Sequence, residues 1–156
     1  MFKLKQCRVC LNQASLLCLS LALLLSGCVN ISLSADVDPS ANLDDIKTIY
    51  VRKHEADDKR VEQLIADYLN NIGKIAHSGS EKNPVQPVDA ILTYQDRWMW
   101  DITMYMLELR IQIRDPESGY ALATGESFRT SLARKDPELM VKEVIDEIFQ
   151  VEQEGE

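Results

Sequence analysis

The sequence predicts an α+β domain: a two-layer α/β sandwich in which a mostly antiparallel sheet of four or so strands carries two helices on one face. Three observations predict it. Val61, Leu64, Ile65, Tyr68, Leu69 and Ile72 recur at three- and four-residue steps, and so do Met140, Val141, Val144, Ile145, Ile148 and Phe149; each set is the stripe of a half-buried helix. Leu107, Leu109, Ile111 and Ile113 alternate with Glu108, Arg110, Gln112 and Arg114, the period of a strand packed on one side and wet on the other. Both helical stripes need an apolar sheet face to cover, and two layers supply one.

The elements follow in order. Lys3, Lys5 and Arg8 precede a stretch from Val9 to Leu25 without a charge. A basic start, an apolar middle and small residues at a cut site make the pattern of an export signal. The apolar core, Leu16 to Leu25, is shorter than the roughly 20 residues of a membrane-crossing helix, although a retained anchor helix is the alternative. Leu25-Ser26-Gly27-Cys28 closes the run and resembles the lipobox of bacterial lipoprotein precursors. The resemblance implies that Leu25, Ser26 and Gly27 are read during signal processing, that residues 1–27 are removed, and that Cys28 is the lipidated first residue. Val29 follows, not aspartate, which within that family implies sorting to the inner leaflet of the outer membrane, facing the periplasm.

Three of the four cysteines, at 7, 10 and 18, lie in the removed segment. The spacing of Cys7 and Cys10 therefore carries little weight as a redox or metal pair. Removal also takes three of the 17 basic residues and leaves 14 against 25 acidic ones, a balance of −11. Such a chain does not favour nucleic acid or anionic lipid through a basic patch. Its membrane attachment would be the covalent lipid, and one acyl chain alone binds with an association constant of only about 10⁴ M⁻¹.

Residues 28–46 are rich in Ser, Asp and Asn and read as the lipidated cysteine followed by a flexible tether, with a short edge strand at Val29, Ile31 and Leu33 as the alternative. One domain is expected over residues 47–150, then an acidic tail over 151–156. Ile46 to Arg52 is β-branched and aromatic, a first strand. Asp57 or Asp58 is placed to cap the first helix, and Asn71 and Gly73 suit its left-handed end. Lys74 to His77 is either a short strand or loop. The run over residues 88–114 is too long for one strand, since strands usually have about 3–10 residues; a turn is expected between Asp96 and Ile102. Asp115-Pro116-Glu117-Ser118-Gly119 is a clear turn. Tyr120 to Ser131 returns as a strand whose Ala121, Ala123 and Gly125 would let a helix approach closely. Asp136-Pro137 opens the last helix, with the acid as cap.

Chemistry concentrates in one place. Both tryptophans fall in Arg97-Trp98-Met99-Trp100-Asp101, followed closely by Met104, Tyr105 and Met106. A packed rim or core is one reading. A partner contact through Arg97, Trp98, Trp100, Asp101 and Tyr105 is the second, since aromatic residues, Met and Arg are enriched at interfaces. A soft-metal site of Met99, Met104, Met106 and His77 is the third. His54 and His77 lack metal-ligand spacing, and Asp89, Asp96 and Asp101 would have to line one end of the sheet to act together. No catalytic set, metal site or cofactor is expected.

Residues 89–105, with Asp115-Pro116-x-x-Gly119 and the closing helix, resemble a family of small, poorly characterised proteobacterial outer-membrane lipoproteins with a compact α/β domain. The resemblance implies the fold and no activity. The functional expectation is a non-enzymatic, lipid-anchored accessory or binding protein of the cell envelope. It would meet an envelope protein partner through protein–protein contacts, and self-association is open. A binding module for a small apolar or lipidic ligand and an envelope enzyme of unknown class are the alternatives.

Overall fold

Alternation decides the sheet. In the computed structural model, which describes residues 30–150 apart from 83 and 85, six strands form one sheet in the order β1-β6-β5-β4-β2-β3. The strands are β1 (Ile31–Val37), β2 (Thr48–Arg52), β3 (Ile75–Gly79), β4 (Ala90–Asp101), β5 (Thr103–Arg114) and β6 (Ala121–Arg129); the helices are α1 (Val61–Asn71) and α2 (Pro137–Phe149). Ile49, Val51, Leu92, Leu109, Ile111 and Ile113 point to one face and are fully buried there. Both helices cover that face: Val61, Ile65 and Leu69 of α1 and Met140, Val144, Ile145 and Ile148 of α2 belong to the same core. The other face carries Thr48, Tyr50, Arg52, Thr93, Gln95, Arg110, Gln112 and Arg114 and stays open.

The α+β class, the two helices on one face and a mostly antiparallel sheet are as expected, with three of its five strand pairings antiparallel, but the sheet has six strands rather than about four. β2 is parallel to both β3 and β4. The reason is topological: α1 carries the chain back across the sheet, so β3 enters in the direction of β2. The sixth strand comes from the segment read as a tether. β1 pairs antiparallel with β6 from Ile31 opposite Arg129 to Val37 opposite Ala123. Leu33, Ala35 and Val37 lean on the core while Ser32, Ser34 and Asp36 face solvent. A tether is therefore excluded for residues 31–37. Residues 1–27 with Leu25, Ser26 and Gly27, the lipidation residue Cys28, and the tail over 151–156 lie outside the described residues.

Local chemistry explains the joints. Asp57 caps α1 from four residues away: Oδ2 accepts from the Val61 N–H at 2.8 Å and Oδ1 from the Lys59 N–H at 2.6 Å. Gly73 leaves the helix at φ +85°, a conformation that costs glycine least. The side chain of Asp136, by contrast, makes no capping bond; α2 starts on Pro137 at its first turn. The small residues of β6 do admit a helix. A Cβ on Gly125 would stand 2.8 Å from Cδ1 of Ile148 and 2.9 Å from Cγ1 of Val144. On the covered face Arg129 and Glu143 form a buried ion pair at 2.5 Å, with Ser127 and Lys135 also on the Glu143 carboxylate. Burial pushes the Glu143 carboxyl up, but the bonds from Lys135, Ser127 and Arg129 outweigh it and hold it below its ordinary value.

Candidate functional site

β4 and β5 are each 12 residues long, longer than their neighbours. β6 pairs with β5 only from Glu108 onward, and β2 pairs with β4 only at Ala90, Ile91 and Leu92. Beyond Arg97 and Glu108 the hairpin therefore stands out of the sheet as a two-stranded ribbon, with a bulge at Arg97/Trp98 where it leaves.

The ribbon closes at Ile102, inside the expected window but without a turn residue. Ile102 has φ +61°, a strained conformation for a β-branched side chain. It is also 84% exposed, and Trp100 beside it 68%. Met99 and Met104 are exposed too, so four large apolar side chains crown the tip. The tip is braced from one side by the short helical turn Ser131–Ala133 and the residue after it. Ser131 Oγ donates to Asp101 Oδ2, Arg134 Nη1 donates to Thr103 Oγ1 at 2.7 Å, and the Arg134 guanidinium lies 5.0 Å over the Tyr105 ring. Leu132 of that turn is 79% exposed and extends the apolar surface.

The candidate contact residues therefore divide. Trp100 belongs to the exposed tip. Trp98 is half-buried against the core, with its indole N–H bonded to Asp96 Oδ2 at 2.5 Å. Arg97 pairs with Glu108 at 2.7 Å, Asp101 is engaged by Ser131, and Tyr105 is buried beneath Arg134. Ile102, Leu132 and Arg134 belong to the site and were not among the candidates. Ile102 carried no turn signal, and the 131–134 segment meets the tip only through the fold.

Other constellations do not assemble. His77 on β3 is level with Tyr50 and Ile91, while Met99 and Met104 sit on the tip, about 25 Å along the strand at ~3.3 Å per residue. Met106 is fully buried. Asp89 lies at the opposite end of β4 from Asp101 and accepts from the N–H groups of Lys47 and Thr48 at 2.9 and 2.7 Å. Among the described residues, no three His, Cys, Asp or Glu are grouped to hold a metal.

One carboxylate pair is electrostatically unusual. Burial pushes the Asp57 carboxyl up, but bonds from Tyr94 and from the N–H groups of Lys59 and Val61 bring it down to about 2. Burial and the neighbouring Asp57 push Glu62 up. Opposed shifts are what an acid–base pair shows, yet both groups are buried at the start of α1 and neither lines the two clefts of the open sheet face. Asp57 is occupied in capping.

Two clefts, of about 330 and 480 Å³, open on the uncovered face of the sheet, and neither is lined by Trp98 or Trp100. The first lies beside edge strand β3, at Thr48, Tyr50, Ile75 and His77. The second lies over the middle of the sheet, at Arg52, Gln95, Arg110 and Arg114.

No family model matches the chain, and no curated protein does. Solved structures do. A point variant of the PelC dodecamer from Paraburkholderia phytofirmans, in space group C2, is 15% identical, with a TM-score of 0.58 over 76% of this chain and 97% of PelC. The PelC dodecamer from the same organism in space group P6 is 14% identical, with a TM-score of 0.57 over 76% of this chain and 98% of that one. TolB from Acinetobacter baumannii is 15% identical, with a TM-score of 0.47 over 79% of this chain and 31% of TolB. At these identities the PelC likeness is one of fold, and the chain shares that fold over nearly the whole of PelC.

Proposed function

We propose that this chain is a non-enzymatic, lipid-anchored accessory protein of the cell envelope that contacts a protein partner through the β4–β5 tip. The observation that carries it is the exposed apolar crown of Met99, Trp100, Ile102 and Met104, held in a strained turn and braced by Arg134. Water-exposed apolar clusters of this kind mark contact surfaces, and strained backbone positions cluster at functional sites.

Position supports the reading. The carbonyl of Asn30 accepts from Thr130 N–H at 3.3 Å, and the next residues of that strand exit hold the tip. Asn30 follows Cys28 by two positions, so a lipid at Cys28 would set the tip close to the bilayer surface, at the same end of the sheet. The partner would then be a membrane-proximal protein. PelC forms a dodecamer, and self-association is the second form such a contact can take here.

Two measurements test it. Mass spectrometry of the mature chain should find a diacylated Cys28 as the first residue; a retained segment 1–27 would remove the anchor. Affinity isolation from the protein's own membranes should recover a partner, or further copies, with wild type and lose it with Trp100→Asp or Ile102→Asp. Equal recovery with both variants would sink the tip as the contact.

A further inference from the structure

We infer that the second cleft on the open face of the sheet is an anion site that takes a soluble phosphate monoester, gripped by Arg52 and Arg114. The lining of this cleft includes Arg52, His54, Gln95, Arg110, Gln112 and Arg114 and contains no carboxylate, in a chain with 25 acidic and 17 basic residues. Strand alternation makes it. Arg110, Gln112 and Arg114 share the open side of β5, Gln95 and Thr93 stand opposite Arg110 and Gln112 on β4, and Arg52 ends β2.

The charges are unequal. Arg110 is neutralised by Glu126, which accepts from its Nε at 3.0 Å and its Nη2 at 2.5 Å. Arg114 is held only by neutral acceptors, Gln112 Oε1 at 2.5 Å, the Gly119 carbonyl at 3.0 Å and Thr93 Oγ1 at 3.4 Å. Its orientation is fixed while its charge is uncompensated, and two of its five N–H groups are left to donate. Arg52 makes no salt bridge among the described residues, and its Nε is buried without a hydrogen-bond partner.

Two uncompensated guanidinium groups match a dianion, and their planar forks suit phosphate. A phosphate monoester carries a charge of about −1.5 to −2 at neutral pH. The cleft volume of about 480 Å³ fits a small ligand, and the Gln95 and Gln112 amides are placed to read hydroxyls on its body. The ligand is soluble because of where the cleft lies. It extends to Arg114 and Gly119, and Arg114 pairs with Ile91 near the start of β4, at the far end of the sheet from Asn30 and the tip.

Calorimetric titration of the detergent-solubilised full chain with glycerol 3-phosphate and with inorganic phosphate, at constant ionic strength, tests the assignment. Saturable binding is expected, weakened at least about tenfold by Arg52→Gln and by Arg114→Gln and unchanged by Arg97→Gln, a residue on the same face that is paired with Glu108. Melting curves identify any variant that fails to fold; should one do so, the other decides. The site is overturned by the absence of saturable binding at millimolar phosphate, or by wild-type affinity in a folded Arg52→Gln or Arg114→Gln. Equal affinity for succinate would overturn the phosphate class. Binding only to vesicles containing phosphatidic acid would overturn the soluble ligand.

Discussion

Trp98 and Met106 face each other across the β4–β5 hairpin, and so do Trp100 and Met104, two residues farther out. The pairs have the same chemistry, the same strands and the same parity. Met106 is fully buried and Trp98 leans on the core, whereas Met104 is exposed and Trp100 is 68% exposed. What differs is the support around them. Both pairs lie beyond Glu108, where β6 stops pairing, but the packed core still reaches the inner pair and the outer pair has run past it. Identical apolar residues are core where that cover reaches and exposed two residues farther out. Hydrophobicity alone does not separate buried from exposed; the reach of the packed core does.

The comparison can be broken most forcefully inside the core. Glu143→Ala strands the buried Arg129 charge and should cost about 3–5 kcal/mol in urea unfolding. Met106→Ala should cost about 2–5 kcal/mol, and Met104→Ala no more than about 0.5 kcal/mol; similar losses for the two would erase the distinction drawn here. Gly125→Ala drives a methyl group into Ile148 and Val144 of α2, an overpacking expected to cost about 1–3 kcal/mol. At the tip, Ile102→Gly should raise stability by about 1 kcal/mol by relieving the positive φ, while weakening the contact.

Two further effects are read through pH. Glu62 has its pKa raised above the ordinary 4.5. The folded state therefore holds that proton more firmly than the unfolded chain, and the contribution, present below 4.5, is lost as pH rises through the folded value. Glu62→Gln should accordingly raise the melting temperature at neutral pH. Asp57 has the opposite sign: its stabilisation is present above 3.8 and lost as pH falls toward about 2. Asp57→Asn should flatten the acid limb of the melting profile.

Much of this architecture was legible where period and burial agree. The stripes of α1 and α2, the alternation of β5, the Asp115–Gly119 turn and the small face of β6 all followed from spacing. β1 was hidden because its open side, Ser32, Ser34 and Asp36, has the composition of a linker, and only Leu33, Ala35 and Val37 mark the covered side. The hairpin turn was hidden because a strained Ile102 occupies it, where Gly or Asn would signal a bend. The tryptophans announced a special region, but not that a two-residue step separates core from surface. The cleft was the least visible: Arg110 and Arg114 read as the wet side of a strand, and only the sheet brings Arg52 beside them.

Site-specific photocrosslinking in native membranes tests the central claim most directly. A photoreactive residue in place of Trp100 should form a discrete protein adduct, and the same group in place of Trp98 should form none beyond the chain itself. Adducts from both positions, or only lipid adducts at Trp100, would contradict a protein-contacting tip.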